Sequence, residues 1–128
     1  MRILLDTCTF LWIISGDSKL SARARDLFID PENEIYLSPI SVWEISIKHA
    51  LGRLPLPEKP EHFIPSQRKR HGIKTLPLEE EVALYLPRLP LLHNDPFDRM
   101  LICQAIVNGM AIMTPDELIL KYHVRTIW

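Results

Sequence analysis

The 128-residue chain is poor in cysteine, poor in glycine, without a long apolar run and without an excess of either charge. Each scarcity excludes something. Its two cysteines, Cys8 and Cys103, stand far apart with no CxxC or Cys/His ligand spacing, which argues against a structural zinc site and leaves two buried free thiols as the expectation. The four glycines, at 16, 52, 72 and 109, form neither a GxGxxG turn nor a phosphate-binding P-loop. The apolar stretch Phe10–Ile14 is far short of the roughly 20 residues of a membrane span. Met1–Leu5, interrupted by Asp6, is too short for the apolar region of a secretory signal, so a reduced, cytoplasmic protein is expected. Fifteen basic residues against sixteen acidic ones leave a net charge of −1, so contact with nucleic acid would have to rest on a local patch.

What is present is a core. An apolar fraction of 47% with no low-complexity tract suits a folded globule, and the length suits one domain over residues 1–128. Strand-like and helix-like segments alternate. Ile3-Leu4-Leu5 is a short continuous apolar run of the kind covered on both faces of a sheet. Phe10–Ile14 reads as a buried helical segment, and Ser21 caps a helix through Phe28. Glu34–Leu37 reads as a second strand, after which Ser41 opens a helix towards Leu51 with Gly52 as its stop. A proline-rich connection over 53–60 leads to a helix over Glu61–His71, although Pro65 lies within it. Ile73–Leu76 is a strand candidate, Leu78–Leu86 a helix with glutamates near its start, and Pro87–Asn94 a loop. Pro96 begins the clearest helix, closed by Asn108-Gly109. Ala111–Met113 and Val124–Ile127 read as strands around a short helix at Glu117–Tyr122. Such alternation predicts an α/β fold, a sandwich with a central parallel sheet.

In such a sheet the ligand site lies at the carboxyl ends of the strands, and four acids fall there. Asp6 ends the first strand, Glu44 follows the second within two helical turns, Asp98 opens the long helix, and Asp116 follows Ala111–Met113. Every one of them also has a plain structural use. Asp6 can cap the helix after it; Glu44 can pair with Lys48 four residues on; Asp95-Pro96-Phe97-Asp98 is a good helix start; and Asp116 suits a turn and cap. Asp98, however, heads the stripe Leu101, Ile102, Ala105, and Glu44 shares a stripe with Ile47 and Leu51, which turns both inward.

Carboxylates gathered at one edge repel unless protonated or neutralised by a cation. Hard divalent ions prefer oxygen ligands and can activate water against a phosphodiester without any protein nucleophile. Phosphoryl-transfer folds with an aspartate nucleophile are excluded by what surrounds Asp6: a second aspartate two residues on is replaced by Cys8, and there is no acidic pair at the strand end. Positive charge for a nucleic acid has one obvious source, Arg68-Lys69-Arg70-His71 with Lys74, which reads equally as a solvated helix end. Arg99 is a candidate to orient a phosphate or pair with an acid, and His93 a candidate proton donor, although a lone loop histidine is more often a surface residue.

Four segments, LLDTCTFLW at 4–12, SPISVWEISIKHALGRL at 38–54, LPLLHNDPFDRMLICQA at 89–105 and MTPDELILKYHVRTIW at 113–128, together resemble a PIN domain, and more narrowly a VapC-type toxin of a bacterial toxin–antitoxin pair. They fall in the family's order and cover most of the chain. The resemblance implies a PIN-like α/β/α sandwich and an endoribonuclease dependent on Mg²⁺ or Mn²⁺, with Asp6, Glu44, Asp98 and Asp116 as catalytic and metal-binding acids and Thr114 a hydroxyl beside the metal. Pro115 stands where the family often has a polar or basic residue, which leaves Glu117 as a substitute for Asp116, and Asp95 is an extra acid outside the pattern. The resemblance further implies an RNA substrate, a homodimer, and a VapB-like antitoxin whose apolar segment covers a groove. Phe10, Trp12, Phe28 and Trp43 are candidates to line it, with Trp12 the one expected to be partly exposed. The alternative outside enzymology is a PIN-like binding module for protein or nucleic acid that cleaves little or not at all.

Overall fold

Ile3, Leu4 and Leu5 are wholly buried because the strand that carries them, β1 (Arg2–Leu5), has a neighbour on each side and helices on each face. The computed structural model describes all 128 residues. A five-stranded sheet runs in the order β3 (Lys74–Thr75), β2 (Glu34–Leu37), β1, β4 (Ala111–Met113), β5 (Thr126–Ile127), and every pairing is parallel. Register places Ile3 opposite Ile35 on one side and Ala111 on the other.

Alternate strand residues feed two cores. Ile3, Leu5, Ile35, Leu37 and Met113 face one side with Phe10 of α1 (Thr7–Ser15), Ala24 of α2 (Ala22–Ile29) and Ile64 of α4 (Pro60–His71). Leu4 and Ile112 face the other with Val82 of α5 (Glu80–Tyr85), Leu101, Ile102 and Ala105 of α6 (Pro96–Asn108) and Ile119 of α7 (Glu117–Leu120). The remaining helix, α3 (Pro39–Ala50), contributes Ile45 to the first core and Ile40 to the second. This is the predicted sandwich of helices on both faces of a parallel sheet.

Local chemistry explains most boundaries. Gly72 and Gly109 end α4 and α6 in the left-handed conformation, at φ 64° and 63°. Pro65 is the sixth of the twelve residues of α4 and lies on that helix's exposed face, where its ring costs one backbone hydrogen bond without displacing the core. Four expectations need correction. The cap of α3 is Ser38, whose hydroxyl accepts from the Ile40 N–H, with Pro39 at the first helical position; Ser41 is buried inside the helix instead. The edge strands β3 and β5 are two residues each, shorter than Ile73–Leu76 and Val124–Ile127. The helix at 78–86 begins only at Glu80, and a 3₁₀ turn, Leu86–Arg88, follows it. In α1 only Phe10 of the run Phe10–Ile14 is fully buried, because the helix packs on the sheet along one stripe.

No helix is long and apolar enough to cross a membrane.

Candidate active site

The chain leaves β1, builds β2 and β3 to one side, and returns for β4 on the other, so the strand order reverses between β1 and β4. That reversal opens a crevice at the carboxyl ends of the two strands. Asp6 stands at its lip, directly after β1, and is only 5% exposed. Its Oδ1 accepts from the Thr9 N–H at 2.8 Å and caps α1, while its Oδ2 accepts from the Thr114 hydroxyl at 2.5 Å, directly after β4. Both the capping role and the position in the crevice therefore hold for this residue. No lysine or arginine meets it, and burial raises its pKa above the ordinary carboxylate range.

Glu44 reaches the site from α3 and is also 5% exposed. The Thr7 hydroxyl, at the first turn of α1, donates to its Oε1 at 2.7 Å and lies 3.0 Å from the hydroxyl of Ser41. Lys48, half exposed, donates to Oε2 at 2.6 Å. The i,i+4 pair predicted from spacing forms, and Glu44 faces inward as well, because Lys48 reaches back along its stem. Thr7 carried no sequence signal beyond its place after Asp6.

Asp95 and Asp98 divide their work. Asp95 Oδ1 accepts from the Phe97 and Asp98 N–H groups and caps α6. Asp98 projects from the first turn and is largely buried; its Oδ2 lies 3.1 Å from His93 Nε2, in a side chain only 8% exposed. His93 is thus no surface histidine. Its presence beside Asp98 depends on the fold of the 89–95 loop; the signal available was a histidine five residues before an acid on a helix start. Arg99 turns from the acids to the carbonyls of Pro90 and Leu89 and the hydroxyl of Tyr122. Asp116, partly buried, caps α7 through Oδ1 to the Leu118 N–H, and its own N–H donates to the Thr114 hydroxyl. Glu117 is exposed.

These acids share one electrostatic neighbourhood. Burial first, then the charges of Asp95 and Asp116 against the His93 hydrogen bond, push Asp98 up to about 6. The charge of Asp116 adds to the rise at Asp6 as well. Of the two thiols expected to be buried only Cys103 is; Cys8 is exposed on α1, yet partial desolvation and the charges of Asp6 and Glu44 push its thiol up to about 11, so it is no thiolate nucleophile at neutral pH. As the side chains stand, no group of three or more acids, histidines or cysteines is drawn together tightly enough to hold an ion. The donor set itself fits a hard divalent cation: all oxygen, with Asp6 and Asp98 both raised in pKa and neither matched by a lysine or arginine.

The expected RNA patch is reduced. Arg68 donates to the carbonyls of Leu37 and Lys74, and Lys74 pairs with Glu34 at 2.7 Å, which leaves Lys69 and Arg70 exposed at the helix end. The aromatic residues do not share one groove. Phe10 is core, Trp12 is half-buried with its ring edge-on to Trp128, and Phe28 lies near His71. Trp43 is the exposed one, 57%, with its ring 5.2 Å from Phe97 at the rim of a hollow of about 340 Å³ that Leu91 and Met100 also line.

The family model described as PIN domain matches residues 3–123, nearly the whole chain. The chain belongs to the PIN domain family. Within this PIN chain a stretch of 57 residues is 38% identical to "Ribonuclease VapC16" of Mycobacterium tuberculosis, covering 44% of the chain and 40% of that protein, so the match spans less than half of the relative's length. Two solved structures share the PIN chain's fold at low identity. One is VapBC2 from Rickettsia felis bound to a DNA fragment from their promoter, with a TM-score of 0.72 at 14% identity, covering 99% of this chain and 98% of that one. The other is VapBC-1 from nontypeable Haemophilus influenzae, with a TM-score of 0.68 at 18% identity, covering 99% and 97%.

Proposed function

We propose that this PIN domain, residues 1–128 as one unit, is a Mg²⁺- or Mn²⁺-dependent endoribonuclease and the toxin of a VapBC-type toxin–antitoxin pair. The observation that carries the reading is that two carboxyls, Asp6 and Asp98, are both raised by burial, both lifted further by the charge of Asp116, and neither met by a lysine or arginine. The partial match to a ribonuclease and the shared fold with VapBC proteins support it. Asp6, Glu44, Asp98 and Asp116 hold the metal, which when bound activates water and neutralises charge developing on the phosphodiester. Thr114 fixes Asp6 from across the crevice, and Thr7 and Lys48 together fix the two oxygens of Glu44.

Purified chain freed of any partner cleaves RNA with Mg²⁺ or Mn²⁺ and is silent after chelation. Cleavage that persists without metal sinks the mechanism, and RNA or protein binding without cleavage in either metal turns the assignment to a binding module. Expressed alone, the chain arrests bacterial growth, and a small protein encoded beside it relieves the arrest; harmless accumulation of folded protein contradicts the toxin reading.

A further inference from the structure

The hydroxyl of Tyr122, in a side chain only 4% exposed, is met by three nitrogens. They are the backbone N of His93 at 3.2 Å, Arg99 Nη1 at 3.1 Å and His93 Nδ1 at 2.7 Å. The first two can only donate, so they fill the two acceptor positions of the phenol oxygen. The phenol proton then has one destination, His93 Nδ1. An imidazole that accepts at Nδ1 carries its hydrogen on Nε2, and that N–H faces Asp98 Oδ2 at 3.1 Å. The tautomer is therefore set from behind. Arg99 is itself held by the Pro90 carbonyl at 2.8 Å and the Leu89 carbonyl at 3.4 Å, so the loop backbone anchors the relay. His93 and Tyr122 also pack edge to face, with ring centroids 5.4 Å apart.

We propose that His93, locked by Tyr122 and Arg99, is a positioning residue that ties down one oxygen of the Asp98 carboxylate and leaves the other, Oδ1, for a divalent ion. The inference rests on the metal-dependent reading above. A carboxylate free to rotate must give up conformers on meeting an ion, whereas one already held does so at less entropic cost, and outer partners of this kind typically change metal affinity 10–100-fold.

The test is calorimetric titration of the full chain with Mn²⁺ in the absence of RNA, alongside thermal melts. The variants are His93→Leu, His93→Gln and Tyr122→Phe. His93→Leu weakens Mn²⁺ binding by about tenfold or more. His93→Gln, whose amide nitrogen can take the place of Nε2, recovers most of it. Tyr122→Phe falls between, because the imidazole remains but its tautomer is released. At saturating Mn²⁺ the KM for RNA stays at the wild-type value. A folded His93→Leu protein with wild-type Mn²⁺ affinity overturns the proposal, as does His93→Gln performing no better than His93→Leu, which would reduce the role to packing. If His93→Leu melts below the assay temperature, Tyr122→Phe decides, and unchanged affinity there overturns it. A wild-type chain that takes up no Mn²⁺ refutes the metal-dependent reading itself, and this role with it.

Discussion

Asp98→Asn is expected to lower RNA cleavage by about a hundredfold or more, the scale on which removal of one preorganised charge-stabilising group acts, while the protein stays folded. The fold survives because the change conserves shape, and the amide oxygen can still accept from His93. Stability should even rise at neutral pH. Burial lifts the Asp98 carboxyl to about 6, so at pH 7 its charge opposes folding, and the neutral amide removes that opposition. The gain is on the order of 1 kcal/mol once solvent screening is allowed for. Asp95→Ala should behave in the opposite way. Its Oδ1 caps α6 through two backbone N–H groups, and losing the cap costs about 1 kcal/mol while leaving substantial activity. Matched melts and cleavage rates decide the matter. Near-normal cleavage by Asp98→Asn, together with loss of cleavage in Asp95→Asn, would move the metal-binding role to the wrong side of the helix start.

Saturating Mn²⁺ should raise the melting temperature by about 10 °C at pH 7.5 and far less at pH 5. An ion present at a hundred times its dissociation constant stabilises by about 2.7 kcal/mol, and a domain of this size melts several degrees higher for each kcal/mol. The pH dependence follows from the carboxyls. Asp6 and Asp98 both have folded pKa values above the unfolded ones. Their contribution to stability is therefore fully present below about pH 4 and is lost as pH rises, for Asp98 through about 6 and for Asp6 through its own raised value. Metal binding reverses that loss because it requires the ionised forms. Glu34 has the opposite sign, since the hydrogen bond from Lys74 holds its carboxyl below the ordinary range, but it is fully exposed. It cancels when melts with and without ion are compared at one pH. A metal-induced shift equal at pH 5 and pH 7.5 would mean that these two acids are not the binding groups.

What could be read in the residues themselves was whatever is local. Pro96 and Gly109 bound α6 to the residue because a proline at the first turn and a left-handed glycine after the last are chemical requirements of helix ends. The burial of β1 was legible in three apolar residues; Glu44 does turn inward, but not along the stripe that predicted it, since Ile47 and Leu51 are exposed and Glu44 is buried beside Ser41 and Ile45 instead. Ser41 was mistaken for a cap although Ser38 carries the same hydroxyl and precedes a proline, the very signal that ranks Ser38 first; Pro39 was read as closing β2 and not as opening the helix. The edge strands came out short because Lys74–Thr75 and Thr126–Ile127 are strands only where they meet β2 and β4. His93 was singled out as a proton donor, but its burial against Asp98 was not legible, for a related reason. Its partner Tyr122 is 29 residues away, and only the loop held by Arg99 brings the two together.

The bond between Thr114 and Asp6 spans 108 positions of the chain. On the ribosome β1, which leads into Asp6, is made well before β4, and one of its two flanks stays bare until β4 has been made. Long-range pairing of this kind is slow and cannot be rehearsed by a fragment. A polypeptide that stops short of Thr114 lacks both the strand that covers β1 and the hydroxyl that holds Asp6. Synthesis thus acts as a timer on the crevice: a cell translating this message carries no assembled site until the 108 positions that separate Asp6 from Thr114 have been joined.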